Sequence, residues 1–271
     1  MLVTRVEDRV VHVPREQILP AITDEQIARQ RPWIDPYFDT DGNVLLSFHA
    51  LVVESRGTTI VVDTCMGTME PRPVRGDPTF PERLADMVGG PGLAAVDIVL
   101  CTHLHWDHVG WNTRLVDGEW RPTFPNARYL IGARELEFFD DGNDTHCLRD
   151  QSVAPLLEAG LVDLIDTDHA ITTEVRTVPT PGHTPGHVSV RIESEGHTAI
   201  ITGDAFHTPL QITHPEIAAT PFDWDSPMSS ETRRRLLAGL RDTDTLVVGT
   251  HFAPPTAGRI CNGDSGTWFD A

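Results

Sequence analysis

Residues 102–108 read Thr-His-Leu-His-Trp-Asp-His and place three histidines and an aspartate within six positions. They follow residues 96–101, an apolar run of mostly β-branched and aliphatic side chains that predicts a buried strand. Side chains two residues apart project to the same side of an extended chain, so His103 and His105 can bind one ion. The aspartate and the last histidine come just past the predicted turn, where they can face a second ion. Imidazole and carboxylate are common zinc ligands, so the run predicts a metal site at a strand end.

Three later positions place ligand-type side chains where a predicted strand or tight turn meets a loop. Residues 180–187 read Thr-Pro-Gly-His-Thr-Pro-Gly-His, and their prolines and glycines restrict the backbone that carries His183. His187 is interpreted as a structural residue at the start of the next strand. A Gly-Asp pair supplies Asp204, and a Gly-Thr-His sequence supplies His251. Each alone could be turn chemistry, a surface carboxylate or a structural histidine, but with the first run they supply seven ligands, enough for two ions sharing a carboxylate.

The composition limits the class of partner. The chain has 271 residues, with 40 acidic and 21 basic side chains and a formal net charge of −19. A surface this acidic repels phosphate backbones, so we expect no nucleic-acid partner. The densest basic cluster, residues 233–235, is interpreted as a solvent-exposed helix face. No apolar stretch is long enough to span a bilayer, so we expect no membrane partner.

The location is predicted from the N-terminus and the cysteines. Charged side chains in residues 1–8 argue against a signal peptide. The cysteines form no CxxC pair, a pattern typical of reduced thiols: Cys65, Cys101, Cys147 and Cys261. We therefore expect a cytoplasmic protein.

Predicted strands alternate with predicted helices, which favours an α/β class with two sheets packed face to face and helices outside. Residues 45–54 and 58–63 form a predicted hairpin. Thr23 and Gln26 form a capping box at the start of a predicted helix, and the best helical pattern covers residues 229–241.

No repeat or linker divides the chain. We therefore predict that residues 1–271 form a single domain, with residues 1–43 as an N-terminal extension packed on it.

The set HxHxDH, PGHTPGH, GD and a late GTH resembles the metallo-β-lactamase superfamily over nearly the whole chain. The resemblance implies a four-layer αββα sandwich, the metallo-β-lactamase fold. It also implies two divalent ions, with zinc expected and manganese, iron or cobalt as alternatives. The seven ligands are divided between the ions as follows: His103, His105 and His183 on the first, Asp107, His108 and His251 on the second, and Asp204 on both.

The resemblance also implies a supporting residue behind these ligands. Asp63 matches an early aspartate of the family that orients the ligand loop. Cys65 follows Thr64 here, where many members have glycine.

Within the superfamily, the chain most resembles quorum-quenching lactonases and methyl parathion hydrolase. The β-lactamases commonly have cysteine at the position of Asp204, and glyoxalase-II-type thioesterases add a C-terminal helical domain. Nucleases of the family carry a basic surface, and flavodiiron oxidoreductases append a flavin domain. One departure concerns the substrate, because the best-known lactonases have tyrosine three residues after the bridging aspartate, where this chain has His207.

The resemblance implies a dinuclear hydrolase in which a metal-bridging hydroxide opens lactones or cleaves related esters. Asp107 would orient the nucleophile and transfer its proton, and His207 would stabilise the oxyanion or protonate the leaving group. We expect an apolar ester or lactone substrate in a pocket walled by aromatic side chains: Trp106, Trp111, Phe206 and Phe252. The alternatives are hydrolysis of aryl esters, thioesters or phosphotriesters, and a diiron oxidoreductase. A homodimer is compatible with this interpretation.

Overall fold

The computed structural model describes residues 1–68, 74–143, 149–219, 222–263 and 266–271. Two compact units are present, one formed by residues 1–9 and 48–172, the other by residues 10–47 and 173–271. Residues 1–43, the predicted extension, contribute to both units, and the single-domain arrangement stays a prediction. Cys147 lies outside the described residues.

Helices and strands alternate along the chain, which confirms the predicted α/β class. The helices are α1 (Arg15–Ile18), α2 (Asp24–Gln30), α3 (Phe80–Val88), α4 (Trp106–Val109), α5 (Ala133–Phe138), α6 (Ala154–Glu158), α7 (Leu210–Thr213) and α8 (Ser226–Leu240). The strands are β1 (Leu2–Val13), β2 (Val44–Ser55), β3 (Thr58–Val62), β4 (Ile98–Leu100), β5 (Thr113–Val116), β6 (Glu119–Pro122), β7 (Arg128–Gly132), β8 (Val162–Ile165), β9 (Val175–Pro179), β10 (Val188–Ser194), β11 (His197–Ile201), β12 (Leu246–Val248), β13 (Ala257–Gly263) and β14 (Gly266–Asp270). No helix among the described residues is both long and apolar enough to cross a membrane.

The sheet of the first unit has the order β1-β2-β3-β4-β7-β8. Strands β3, β4, β7 and β8 are parallel, with Val61 opposite Val99 and Val99 opposite Tyr129. These three side chains are fully buried, as expected for parallel strands covered on both faces. Because parallel strands end at the same edge of a sheet, the residues after β3, β4 and β7 emerge close together.

The sheet of the second unit has the order β14-β13-β12-β11-β10-β9. Strands β11 and β12 are parallel, with Ile201 opposite Val248, whereas β10 runs antiparallel to β11. An antiparallel strand begins where its neighbour ends. The start of β10 and the ends of β11 and β12 therefore share one edge of this sheet. The hairpin of β13 and β14, which the sequence analysis did not predict, extends the sheet on one side.

Helices α2 and α8 can be compared directly with the predictions made for them. The capping box of α2 is confirmed, because the Thr23 hydroxyl accepts the Gln26 N–H and the Gln26 amide oxygen accepts the Thr23 N–H. Helix α8 begins earlier than predicted, at a cap in which the Asp225 carboxylate accepts the Met228 N–H. The exposed-face interpretation of residues 233–235 was wrong for Arg233, whose guanidinium is fully buried because it faces a buried carboxylate described below.

Candidate metal centre

The loop after β4 carries the first histidine run, and carboxylates from the two flanking strand ends hold it. Asp63, directly after β3, accepts the Thr102 backbone N–H at 2.8 Å and the Thr102 hydroxyl at 2.9 Å. The same carboxylate lies 2.8 Å from Nδ1 of His108. Glu135, on the helix after β7, accepts the Leu104 N–H at 3.2 Å. Both carboxylates are buried, so the loop is fixed by hydrogen bonds that water does not weaken.

This loop brings the four predicted ligands of the first unit together. The ring of His103 lies 4.6 Å from that of His105 and 4.1 Å from that of His108, centroid to centroid. The Nε2 of His108 is 3.7 Å from a carboxylate oxygen of Asp107, which retains 15% side-chain exposure. His108 donates its Nδ1–H to Asp63, so its Nε2 carries the lone pair that a metal ion requires.

Close backbone contacts set the course of the loop. The N–H of Gly110 donates to the carbonyl of Cys65 at 2.8 Å, and a Cβ on Gly110 would overlap the carbonyl of Met66. Asp63 and Cys65 both adopt the left-handed backbone region, with φ of 57° and 54°. That conformation explains the glycine that many family members have at the position of Cys65, because glycine adopts it without a steric cost.

In the second unit, three imidazoles converge on the carboxylate of Asp204. The Nε2 atoms of His183 and His207 each lie 3.3 Å from the same carboxylate oxygen. The Nε2 of His251 lies 3.2 Å from each of the two carboxylate oxygens. All four side chains are at most 4% exposed. The structure therefore brings together the three predicted ligands of this unit and the predicted catalytic His207.

Local structure explains how Asp204 reaches this position. It lies in a short 3-10 turn after β11, and its backbone N–H donates to Nε2 of His187 at 2.8 Å. The Nδ1 of His187 lies 3.0 Å from the carbonyl of Thr180, which fixes the ring. Gly203 has φ of +54°, and a Cβ there would lie 2.6 Å from Nε2 of His187. The structural interpretation of His187 is confirmed.

In two of these imidazoles, Nδ1, the ring nitrogen other than the one near Asp204, lies close to a hydrogen-bond acceptor. The Nδ1 of His183 lies 3.2 Å from Oδ1 of Asp223, and the Nδ1 of His251 lies 3.1 Å from the carbonyl of Ser47. A neutral imidazole has a single N–H, so donation through Nδ1 leaves each Nε2 as an acceptor facing the acceptor oxygens of Asp204. A divalent cation between them would turn this repulsion into attraction. The donor set thus fits a metal ion that prefers nitrogen and oxygen ligands.

Asp223 was not identified from the sequence, where it stands in a loop without a recognisable motif. Its pKa is subject to opposing effects: burial raises it, whereas the hydrogen bond from His183 and the nearby charges of His207, His183 and Arg233 lower it, to about 2. Burial in turn lowers the pKa of Arg233. His183, His207 and Asp223 each offer a ligand atom within 4.8 Å of the others, so they also form a group able to hold an ion.

The four aromatic residues predicted to wall a pocket lie in different environments. Phe206 and Phe252 are fully buried, and Trp111 is 5% exposed. Trp106 is half-buried and stacks on Phe48 with a centroid distance of 6.4 Å. Their role in substrate binding stays a prediction, and of the four Trp106 is the most accessible.

An aromatic residue that the sequence analysis did not select lies beside the second unit's histidines. Phe222 is 46% exposed, and its ring centroid is 6.4 Å from that of His207. Trp224, two residues later, is 47% exposed. No sequence pattern distinguishes these rings from core aromatics, because only their packing shows that they face solvent.

Comparison with known proteins supports the family predicted from the motifs. The model of the Metallo-beta-lactamase superfamily matches residues 47–251. The chain is 26% identical over 210 residues to an N-acyl homoserine lactonase of Bacillus sp, covering 72% of this chain and 78% of the relative. It is 36% identical over 115 residues to the uncharacterized protein YobT of Bacillus subtilis (strain 168), covering 40% of this chain and 45% of YobT.

A solved structure gives the same result for the fold. AidC, a dizinc quorum-quenching lactonase in complex with a product, superposes with a TM-score of 0.77 at 21% identity, covering 99% of this chain and 94% of AidC. The predicted metallo-β-lactamase fold and the resemblance to the lactonase branch are confirmed. Because the family match spans most of the sequence, this chain belongs to the metallo-beta-lactamase superfamily and is a metal-dependent hydrolase.

Proposed function

We propose that this chain hydrolyses lactones or related esters by means of two divalent metal ions, with zinc as the first candidate. The observation that carries the proposal is the convergence of three imidazole Nε2 atoms on the Asp204 carboxylate. The lactone substrate class is supported by the N-acyl homoserine lactonase relative, which matches over 72% of this chain.

The proposed ligands are those that the family motif assigns: His103, His105 and His183 for one ion, Asp107, His108 and His251 for the other, and Asp204 for both. When bound, such ions polarise a carbonyl oxygen and lower the pKa of water to about 7, so that a nucleophile is available at neutral pH. The chain contributes the orientation of the ligands. Hydrogen bonds at Nδ1 of His108, His183 and His251 direct the opposite nitrogen of each ring towards the ligand position.

Two side chains are proposed to act on the reacting groups. Asp107 keeps 15% side-chain exposure, so its carboxylate can orient a water molecule and accept its proton. His207 is 4% exposed, and its Nε2 lies 3.3 Å from Asp204. Its imidazole can donate a hydrogen bond to the oxygen on which negative charge develops, or a proton to the leaving group.

Metal analysis and a substrate panel test this proposal together. We expect about two zinc ions per chain by elemental analysis, loss of activity on chelation and its return with zinc. Hydrolysis rates would be compared for an acyl-homoserine lactone, a simple lactone, an aryl ester, a thioester and a phosphotriester. Fastest turnover of lactones supports the proposal, whereas a preference for another substrate would reject the lactone class. Bound iron without hydrolysis would favour a diiron oxidoreductase.

Two variants test whether the activity depends on the proposed metal site. Asp204→Asn should lose both metal and turnover, because the amide presents one acceptor oxygen without a charge. His197→Ala is the matched control, since His197 is an exposed histidine on β11 of the same sheet. The control should retain both metal and turnover.

A further inference from the structure

A buried carboxylate connects His183 to a buried arginine. The Oδ1 of Asp223 lies 3.2 Å from Nδ1 of His183, and its Oδ2 lies 3.6 Å from Nη1 of Arg233. The side chains of Asp223 and Arg233 are 0% exposed, and that of His183 is 2% exposed. A charge pair so completely removed from water is costly unless neighbouring groups hold it in a favourable geometry. The contacts that hold this pair are therefore relevant to its role.

Several carbonyl groups hold the arginine in place. The Nε of Arg233 donates to the carbonyl of Pro215 at 2.8 Å, and Nη1 donates to the carbonyl of Ala205 at 3.5 Å. Nη2 donates to the hydroxyl of Ser230 one turn earlier on α8 at 3.3 Å. The guanidinium is therefore oriented by groups other than the carboxylate, and presents one edge to Asp223.

The backbone of the His183 turn is held by the same helix, α8. The Thr232 hydroxyl donates to the carbonyl of Pro181 at 2.6 Å, and a side chain at Gly182 would overlap Ser229. The N–H of Trp224 donates to the carbonyl of His183 at 2.9 Å. These contacts position the backbone of His183, and its ring packs against the rings of His187 and His207, with centroid distances of 5.9 and 4.8 Å. The contact at Nδ1 selects which ring nitrogen carries the hydrogen.

We propose that Asp223 is the positioning residue that directs Nε2 of His183 to the metal. Arg233 supplies the opposing charge, and the Ala219 N–H, which donates to Oδ2 of Asp223 at 3.2 Å, also keeps the carboxylate in place. An ionised carboxylate only accepts hydrogen bonds, so it selects the imidazole tautomer with hydrogen on Nδ1. The lone pair then lies on Nε2, the nitrogen 3.3 Å from Asp204. The inference rests on the metal-binding part of the proposed function.

Zinc affinity, measured by competition with a chromophoric chelator on the full chain, tests this role. Asp223→Asn should weaken zinc binding by about 10- to 100-fold, the usual effect of removing a partner behind a metal ligand. Because this change leaves Arg233 buried without its opposing charge, a second variant removes both charges. Asp223→Leu with Arg233→Met has no uncompensated charge and should retain cooperative thermal unfolding.

The double variant distinguishes a role of Asp223 in positioning His183 from a role in neutralising the charge of Arg233. If Asp223 only neutralises Arg233, removing both charges restores wild-type zinc affinity, and the proposal is overturned. If Asp223 positions His183, the 10- to 100-fold loss persists, and nitrogen NMR of the histidine rings shows His183 without its fixed Nδ1–H tautomer. Arg234→Met is the matched control, because Arg234 is an exposed neighbour on α8 paired with Glu231; its zinc affinity should equal that of the wild type.

The zinc affinity of the wild type distinguishes a failure of the proposed function from a failure of the role proposed for Asp223. A wild-type chain that binds no zinc would overturn both the proposed function and this inference. Tight wild-type binding with no loss in either Asp223 variant would overturn the inference alone. Because the readout is metal affinity, a failure to find lactone turnover does not decide the role of Asp223.

Discussion

The carboxylate of Asp63 lies 2.8 Å from Nδ1 of His108, and both side chains are only 1% exposed. The same carboxylate accepts two hydrogen bonds from Thr102, so a single side chain joins the end of β3 to the ligand loop after β4. This arrangement supports the predicted role of Asp63 as a residue that orients the loop.

Replacing Asp63 by asparagine should lower zinc affinity by about 10- to 100-fold, since the amide has one acceptor oxygen for three donors. Chelator competition measures this loss. Asp97→Asn is the control: Asp97 is an exposed residue of the same unit whose carboxylate accepts the Thr59 N–H at 2.8 Å. Equal zinc affinities for the two variants would contradict the role of Asp63.

Gly110→Ala should destabilise the protein by several kcal/mol, because a Cβ at Gly110 would overlap the carbonyl of Met66 in a close backbone contact. Gly239→Ala provides the opposite case. Gly239 is exposed on α8, and a Cβ there would meet nothing within 4 Å, so alanine should stabilise the helix by about 0.5–1 kcal/mol. Urea unfolding at fixed metal concentration measures both, and a stable Gly110→Ala would show that the loop can adjust.

The buried Asp8 should make stability depend on pH. Its carboxylate accepts the Met66 N–H at 3.2 Å and the Asp77 N–H at 2.6 Å, on either side of residues 67–76. Burial raises its pKa from 3.8 to about 6, against the lowering effect of those hydrogen bonds. A raised carboxyl pKa contributes stability that is fully present below pH 3.8 and is lost as the pH rises through about 6.

The difference in unfolding free energy between wild type and Asp8→Asn isolates this contribution, because other groups titrate alike in both. We expect the difference to shift against the wild type by about 1 kcal/mol between pH 5 and pH 7. Asparagine, with a single acceptor, should also lower stability at all pH values. A difference that does not change with pH would exclude a raised pKa for Asp8.

His207→Ala should lower turnover by about 100-fold while leaving the zinc content unchanged, if the imidazole acts on the reacting oxygen. His207→Tyr restores the residue that the best-known lactonases have at this position, and it should recover most of the lactone turnover. Steady-state kinetics with parallel metal analysis measure both variants. Unaltered kinetics in His207→Ala would eliminate the proposed catalytic role, and loss of zinc would instead identify His207 as a ligand.

Phe222→Ala should raise KM for apolar substrates by about 5- to 30-fold, because the 46% exposed ring beside His207 can cover an apolar substituent. The effect should increase with the length of the acyl chain. Leu164→Ala removes a side chain that is 54% exposed on β8 and should leave KM unchanged. If the increase in KM over the wild type were the same for every chain length, Phe222 would not be the residue that covers the acyl chain.

Much of the candidate site could be predicted because its signals are local. The predicted ligands stand directly after apolar strand runs or in turns rich in proline and glycine, so short stretches such as residues 102–108 and 180–187 suffice to predict them. The capping box of Thr23 and Gln26 is equally local, since its hydrogen bonds join residues three apart.

Sequence alone determined the α/β class and the α2 cap and predicted the metal ligands that the family motif assigns, because each depends on residue type and short spacing. Tertiary structure alone decided which polar and aromatic residues are buried and which are exposed. Arg233 is buried because Asp223 faces it, whereas Arg234, its neighbour on the same helix, is exposed. Phe222 faces solvent and Phe252 does not. Burial is a property of the packed chain, and neither the identity of a residue nor its sequence neighbours specify it.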